Sequence, residues 1–92
     1  MKPKEKPIES HREKHREAIS LNAVSVGEYV TVVSVSRKCP RLFRRLTQFG
    51  LVPGTRLKVV RVAPLGCPVQ IELRGYCLAI RVKDAAAIMV SY

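Results

Sequence analysis

The chain has 92 residues, a formal charge of +10 and a hydrophobic share of 47%. A chain this short buries only about 60% of the surface its unfolded form exposes, so one compact domain is expected and a deep catalytic cleft is not. The hydrophobic share excludes a largely disordered chain, and no apolar run approaches the roughly 18 residues of a transmembrane helix.

The first stretch is charged throughout. Residues 1–20 read as a basic extension, flexible or a frayed helix, ahead of a single domain over residues 21–92. MKPKEKPIESHREKHREA lacks the apolar segment of a signal peptide, which points to the cytoplasm. SHRE, from Ser10 to Glu13, has the capping-box pattern in which serine and glutamate each satisfy a free amide at a helix start. Glu9, Glu13 and Glu17 recur every four residues with Arg12 and Arg16 between them. Such pairs contribute about 0.2–0.5 kcal/mol each, and with almost no apolar stripe the segment has no anchor to a core. His11 and His15 have the i, i+4 spacing of two metal ligands on one helix face. With no third ligand in a fixed position they read as solvated histidines, and no metal site is expected.

Val26, Gly27 and Glu28 then form a turn, and YVTVVSV, from Tyr29 to Val35, is β-branched enough for a buried strand. Pro40 sits where a first helical turn tolerates proline, and Leu42, Leu46 and Phe49 follow at i, i+4, i+7 on one face. Gly50 is placed to end that helix, residues 41–49, in a left-handed conformation. Pro53-Gly54 fits a type II turn, in which proline fixes the first central residue and glycine supplies the positive φ of the second.

A strand follows from Leu57 through Val62, and APLGCP at residues 63–68 interrupts pairing as a protruding loop. Val69, Ile71 and Leu73 alternate with Gln70 and Glu72, a half-buried strand that Arg74-Gly75 turns back. Leu78, Ile80 and Val82 repeat the alternation, Lys83 to Ala85 make one helical turn, and Ile88 to Val90 form a last strand. Five short strands with tight turns and one short helix, between strands one and two, predict a mainly β fold. It is a small antiparallel barrel, closed to remove its edges.

Cys39, Cys67 and Cys77 contain no CxxC pair, and their odd number fits a reducing compartment. They read as free thiols that pack as small hydrophobes, Cys67 being the one placed for exposure on a loop. Charge is unevenly distributed: residues 1–17 hold six Lys or Arg against four Glu, leaving eleven basic and three acidic residues for positions 18–92. Arg37, Lys38, Arg41, Arg44 and Arg45 fall within nine residues. Such a cluster favours an acidic partner, although a solvated helix face with no partner has the same pattern.

Leu46, Gly50 and Leu51 are followed by Pro53-Gly54, then VRVAPLG at residues 60–66, Pro68, Ile71, and finally Leu78, Arg81 and Ala85. In these residues and in its order of elements the chain resembles the FeoA family of ferrous iron transport proteins. The likeness covers about residues 21–90. Cys67 stands where an aspartate is expected, and residues 1–20 are a longer basic lead than such proteins usually have. The resemblance implies an SH3-like barrel that serves a FeoB-type membrane permease, docking on its cytosolic GTP-binding region. The expected place is the cytoplasm, at the inner face of the membrane through the permease.

No catalyst is implied, and the residues agree. Asp84 is the single aspartate, both histidines lie in the extension, and no glycine-rich P-loop is present. No cofactor and no small-molecule substrate are expected. The contact surfaces are expected to be the helix arginines Arg41, Arg44 and Arg45, and the loop Pro64, Leu65, Gly66, Cys67 and Pro68. Leu46, Gly50, Pro53 and Gly54 hold the framework. The alternative from another class is a basic barrel that binds RNA, since eleven core cations suit phosphates. An aromatic content of 5% makes nucleic acid the weaker partner, because single-strand binders stack bases on exposed rings.

Overall fold

The computed structural model describes residues 17–92. The expected helix beginning at Ser10 and the His11/His15 pair lie outside those residues. Six antiparallel strands form one bent sheet: β1 (Ile19–Ser20), β2 (Tyr29–Val35), β3 (Arg56–Val62), β4 (Val69–Leu73), β5 (Tyr76–Ile80) and β6 (Ile88–Ser91). Their order across the sheet is β1-β6-β2-β3-β4-β5. Helix α1 (Pro40–Gln48) joins β2 to β3, and a four-residue helix, α2 (Val82–Ala85), joins β5 to β6.

The five expected strands are present, together with β1, whose two residues pair with Val90 and Met89 of β6. Strand β4 shows the alternation most cleanly, with Val69, Ile71 and Leu73 buried and Glu72 exposed. Strand β2 is half-buried rather than buried. Val30, Val32 and Val35 face inward, but the register shifts between Val32 and Ser34 and leaves Val33 outside. A second shift, between Val59 and Arg61 on β3, bends the neighbouring strand. An extra residue on one side of a ladder sharpens its local twist, and two such points curl the sheet around its core. Curling does not close it. Among the described residues the two ends of the strand order, β1 and β5, remain edges, so the SH3-like sheet is curled but not as fully closed as expected.

Helix α1 begins on Pro40, whose missing amide costs nothing at that position. It ends as the glycine predicts. Gly50 has φ +98, its amide donates to Thr47 O at 3.0 Å, and the Leu51 amide donates to Leu46 O at 3.0 Å. This is the Schellman arrangement, completed by the burial of both Leu46 and Leu51 in the core. The apolar face differs from the expected one: Leu42 and Phe43 pack against the core beside Leu46, while Phe49 is 38% exposed. The chain reverses at Gly50, so Leu51 fills the place that an i+7 residue of a longer helix would take.

The Pro53-Gly54 turn also forms as expected. Gly54 has φ +95, and the Thr55 amide donates to Val52 O at 3.0 Å across the turn. Strand β5 stops at Ile80, two residues earlier than the alternation predicts, because Arg81 caps the start of α2.

Candidate functional site

The helix arginines are the first part of the candidate surface. Arg41 and Arg44 are exposed and have no ion-pair partner among the described residues. Arg45 is different. Its Nη2 lies 3.4 Å from Asp84 Oδ2, and Arg81 Nε lies 3.6 Å from the same oxygen. The Asp84 side chain is only 11% exposed, so two guanidinium groups offset the desolvation of one carboxylate. Arg45 thus joins α1 to α2 as well as facing solvent.

Grooves lie on both sides of α1. One, of about 340 Å³, runs between α1 and β5 and is lined by Arg45, Leu46, Phe49, Leu78 and Ile80, with Asp84 at one end. The Tyr76 hydroxyl donates to the Phe49 carbonyl and ties the helix end to the start of β5. The other, of about 450 Å³, lies on the opposite side and is lined by Arg37, Pro40, Phe43, Arg44, Thr47 and Gln48. There the Arg37 guanidinium stacks 4.3 Å from the Phe43 ring centre, which holds an arginine of the basic cluster over an aromatic face.

The loop is the second part. Pro64 to Gly66 form a short irregular turn between β3 and β4, and the Ala63 amide donates to Pro68 O at 3.0 Å across its base. Leu65 has φ +69 and is 103% exposed. A bulky residue pays for the left-handed region with about 1–2 kcal/mol and here gains no burial in return. Pro64 and Cys67 are exposed and Pro68 is half-buried. Leu65 stands at the lip of a third groove with Leu21, Val24, Val62, Val69 and Val82. Loop and helix arginines therefore line different grooves, with α2 reaching both through Val82 and Asp84.

Side chains tie the turn around Gly50. Thr55, buried at the end of the Pro53-Gly54 turn, donates from Oγ1 to Gly50 O at 2.8 Å and accepts from Arg74 Nη2 at 3.4 Å. The Arg74 side chain lies over Gly50. All three cysteines are free, as expected, but all three are exposed rather than packed. Among the described residues no three His, Cys, Asp or Glu converge on one point. No described helix is long and apolar enough to cross a membrane.

A family model, the FeoA domain, matches residues 19–92. The chain belongs to the FeoA family. A FeoA-like protein from Clostridium acetobutylicum is 32% identical, with a TM-score of 0.75 over 82% of this chain and 86% of its own. FeoA from Chlorobium tepidum is 37% identical, with a TM-score of 0.71 over 79% of this chain and 69% of its own. FeoA from Stenotrophomonas maltophilia, solved with zinc, is 25% identical, with a TM-score of 0.71 over 80% of this chain and 91% of its own. That protein is described as a prokaryotic SH3 domain protein and a candidate bacterial ferrous iron transport activating factor. This chain has the same SH3-like architecture. Its family match begins at Ile19, the first residue of β1.

Sequence reasoning did not find Asp84 as the partner of Arg45, 39 positions away, nor the Tyr76 contact with Phe49. The i, i+3 spacing of Arg81 and Asp84 was the one local signal available.

Proposed function

We propose that this FeoA-family chain is a non-catalytic accessory protein of ferrous iron transport that docks on the cytosolic GTP-binding region of a FeoB-type permease. The observation that carries the reading is Leu65, fully exposed on a left-handed backbone at the tip of a proline-bounded loop. A side chain held out of the core at a conformational cost is placed for a partner's pocket, and a pre-set loop loses little entropy on binding. Arg41 and Arg44 add a second contact face, since the planar guanidinium pairs carboxylates with two hydrogen bonds. The domain is read as residues 19–92, which adds β1 to the expected 21–92 domain, and the residues before Ile19 are read as the basic extension.

The non-catalytic part of the reading is supported by Asp84: a nucleophile needs a positioned base, and this buried carboxylate is already engaged by two arginines. The test is ferrous iron uptake in host cells lacking the protein. Restoration by the wild type, together with failure of Leu65→Asp and of Arg41→Glu/Arg44→Glu at equal protein levels, is the expected outcome. Uptake that does not change on deletion refutes the accessory role. Arg45 is left intact in this test because a glutamate there would face Asp84 and disturb the fold.

A further inference from the structure

Among the described residues strand β5 is a five-residue edge of the sheet, and its sequence is YCLAI. Edge strands are normally blunted by charge, proline, a bulge or short length, and β5 carries no charge and no proline and pairs with β4 without a register shift. Its outward groups can be assigned. Arg74 and Gly75, at φ +50 and +86, make a two-residue hairpin of the primed type, so Leu73 and Tyr76 form the closing hydrogen-bonded pair. Alternation then directs the amides and carbonyls of Leu78 and Ile80 toward β4, and those of Cys77 and Ala79 away from the sheet. No backbone bond among the described residues takes up the outward groups of Cys77 and Ala79.

Beyond this edge lies the groove between β5 and α1. An added strand sits about 4.8 Å from its neighbour, which places it within that groove. The wall opposite offers Phe49, 38% exposed, and the floor offers half-buried Leu78. At the far end Arg45 and Arg81 share a single carboxylate, while their own side chains remain 49% and 63% exposed. Donors are left over for one more carboxylate.

We propose that β5 binds an extended acidic and apolar peptide segment of the partner as an added strand. Its backbone pairs with Cys77 and Ala79, its apolar side chains meet Phe49 and Leu78, and its carboxylate reaches Arg45 and Arg81. In this mode main-chain bonds give affinity and alternate side chains give specificity. The inference rests on the docking reading above and names its mode. A second copy of the chain is a poorer occupant: antiparallel pairing centred on Leu78 sets Arg81 of each copy opposite Gly75 and beside Arg74 of the other. Like charges then meet at both ends.

The test follows amide hydrogen exchange by NMR in the full chain. Two probes are used, the cytosolic GTP-binding domain of a FeoB-type permease and a blocked seven-residue peptide alternating valine and glutamate. Each is expected to slow exchange at Cys77 and Ala79 at least tenfold. N-methylation of the peptide amides that face β5 is expected to abolish binding, and Arg81→Gln to weaken it about tenfold with the free chain's spectrum unchanged elsewhere. If the domain binds while Cys77 and Ala79 exchange at their free rates, strand addition is overturned and docking stands. If the domain does not bind at all, the docking reading falls, and with it this mode. An N-methylated peptide that binds as tightly as its parent overturns the proposal, as does protection that grows with protein concentration alone, which assigns the edge to a second copy.

Discussion

The turn at residues 50–55 and the loop at residues 63–68 both place proline and glycine close together, yet they treat their side chains and amides in opposite ways. In the turn, the amides of Gly50, Leu51, Val52, Gly54 and Thr55 all find backbone acceptors, and Leu51 is fully buried. In the loop, one bond from Ala63 to Pro68 closes the base, and Leu65 faces solvent entirely. Glycine and proline tell where a chain turns. Whether the turn holds the fold or meets a partner depends on where its hydrogen bonds and its largest side chain go.

Substitutions that break this contrast should separate stability from binding. Leu51→Ala removes a core side chain that also anchors the end of α1, and is expected to cost about 2–5 kcal/mol in chemical denaturation. Thr55→Val removes two hydrogen bonds, to the Gly50 carbonyl at 2.8 Å and from Arg74 at 3.4 Å, and is expected to cost about 1–3 kcal/mol. Gly50→Ala comes next. An added Cβ meets its nearest neighbours at 3.6–3.7 Å, ordinary contact, so the cost is the left-handed backbone alone, about 1–2 kcal/mol. In the loop the order reverses. Leu65→Ala is expected to change stability by less than about 0.5 kcal/mol while weakening partner binding about tenfold or more. A Leu65→Ala variant as unstable as Gly50→Ala would erase the distinction.

The smallest effect concerns pH at the chain's last residue. The Tyr92 hydroxyl donates to Glu28 Oε1 at 2.6 Å, and this bond, then partial burial and the Glu28 charge, raise the phenol above its ordinary value of 10.0. The neutral phenol is the form the fold favours, so its contribution is present below about pH 10 and is lost as pH rises through the raised value. Because the ring is largely exposed, the effect on stability is small. In an ultraviolet titration, Glu28→Ala should move the Tyr92 transition downward.

The strands, the α1 stop at Gly50 and the Pro53-Gly54 turn were legible because each is a local pattern, a period of two or a glycine at a required φ. The two-residue strand β1 has no period to read. The exchange of Phe49 for Phe43 against the core depends on the reversal at Gly50, and the pairing of Arg45 with Asp84 depends on how α2 folds back. The open edge at β5 follows from strand order, which no single segment encodes. Exposure of Leu65 was legible only as a loop position; its left-handed backbone was not.

The central claim is that this chain acts by contact through groups that do not hold its fold. It is tested most directly by calorimetric titration of the cytosolic GTP-binding domain of a FeoB-type permease into wild type, Leu65→Ala and Arg41→Glu/Arg44→Glu, with melting temperatures measured beside each. The account predicts three similar melting temperatures and at least tenfold weaker binding for both variants. Wild-type affinity in both variants would contradict it.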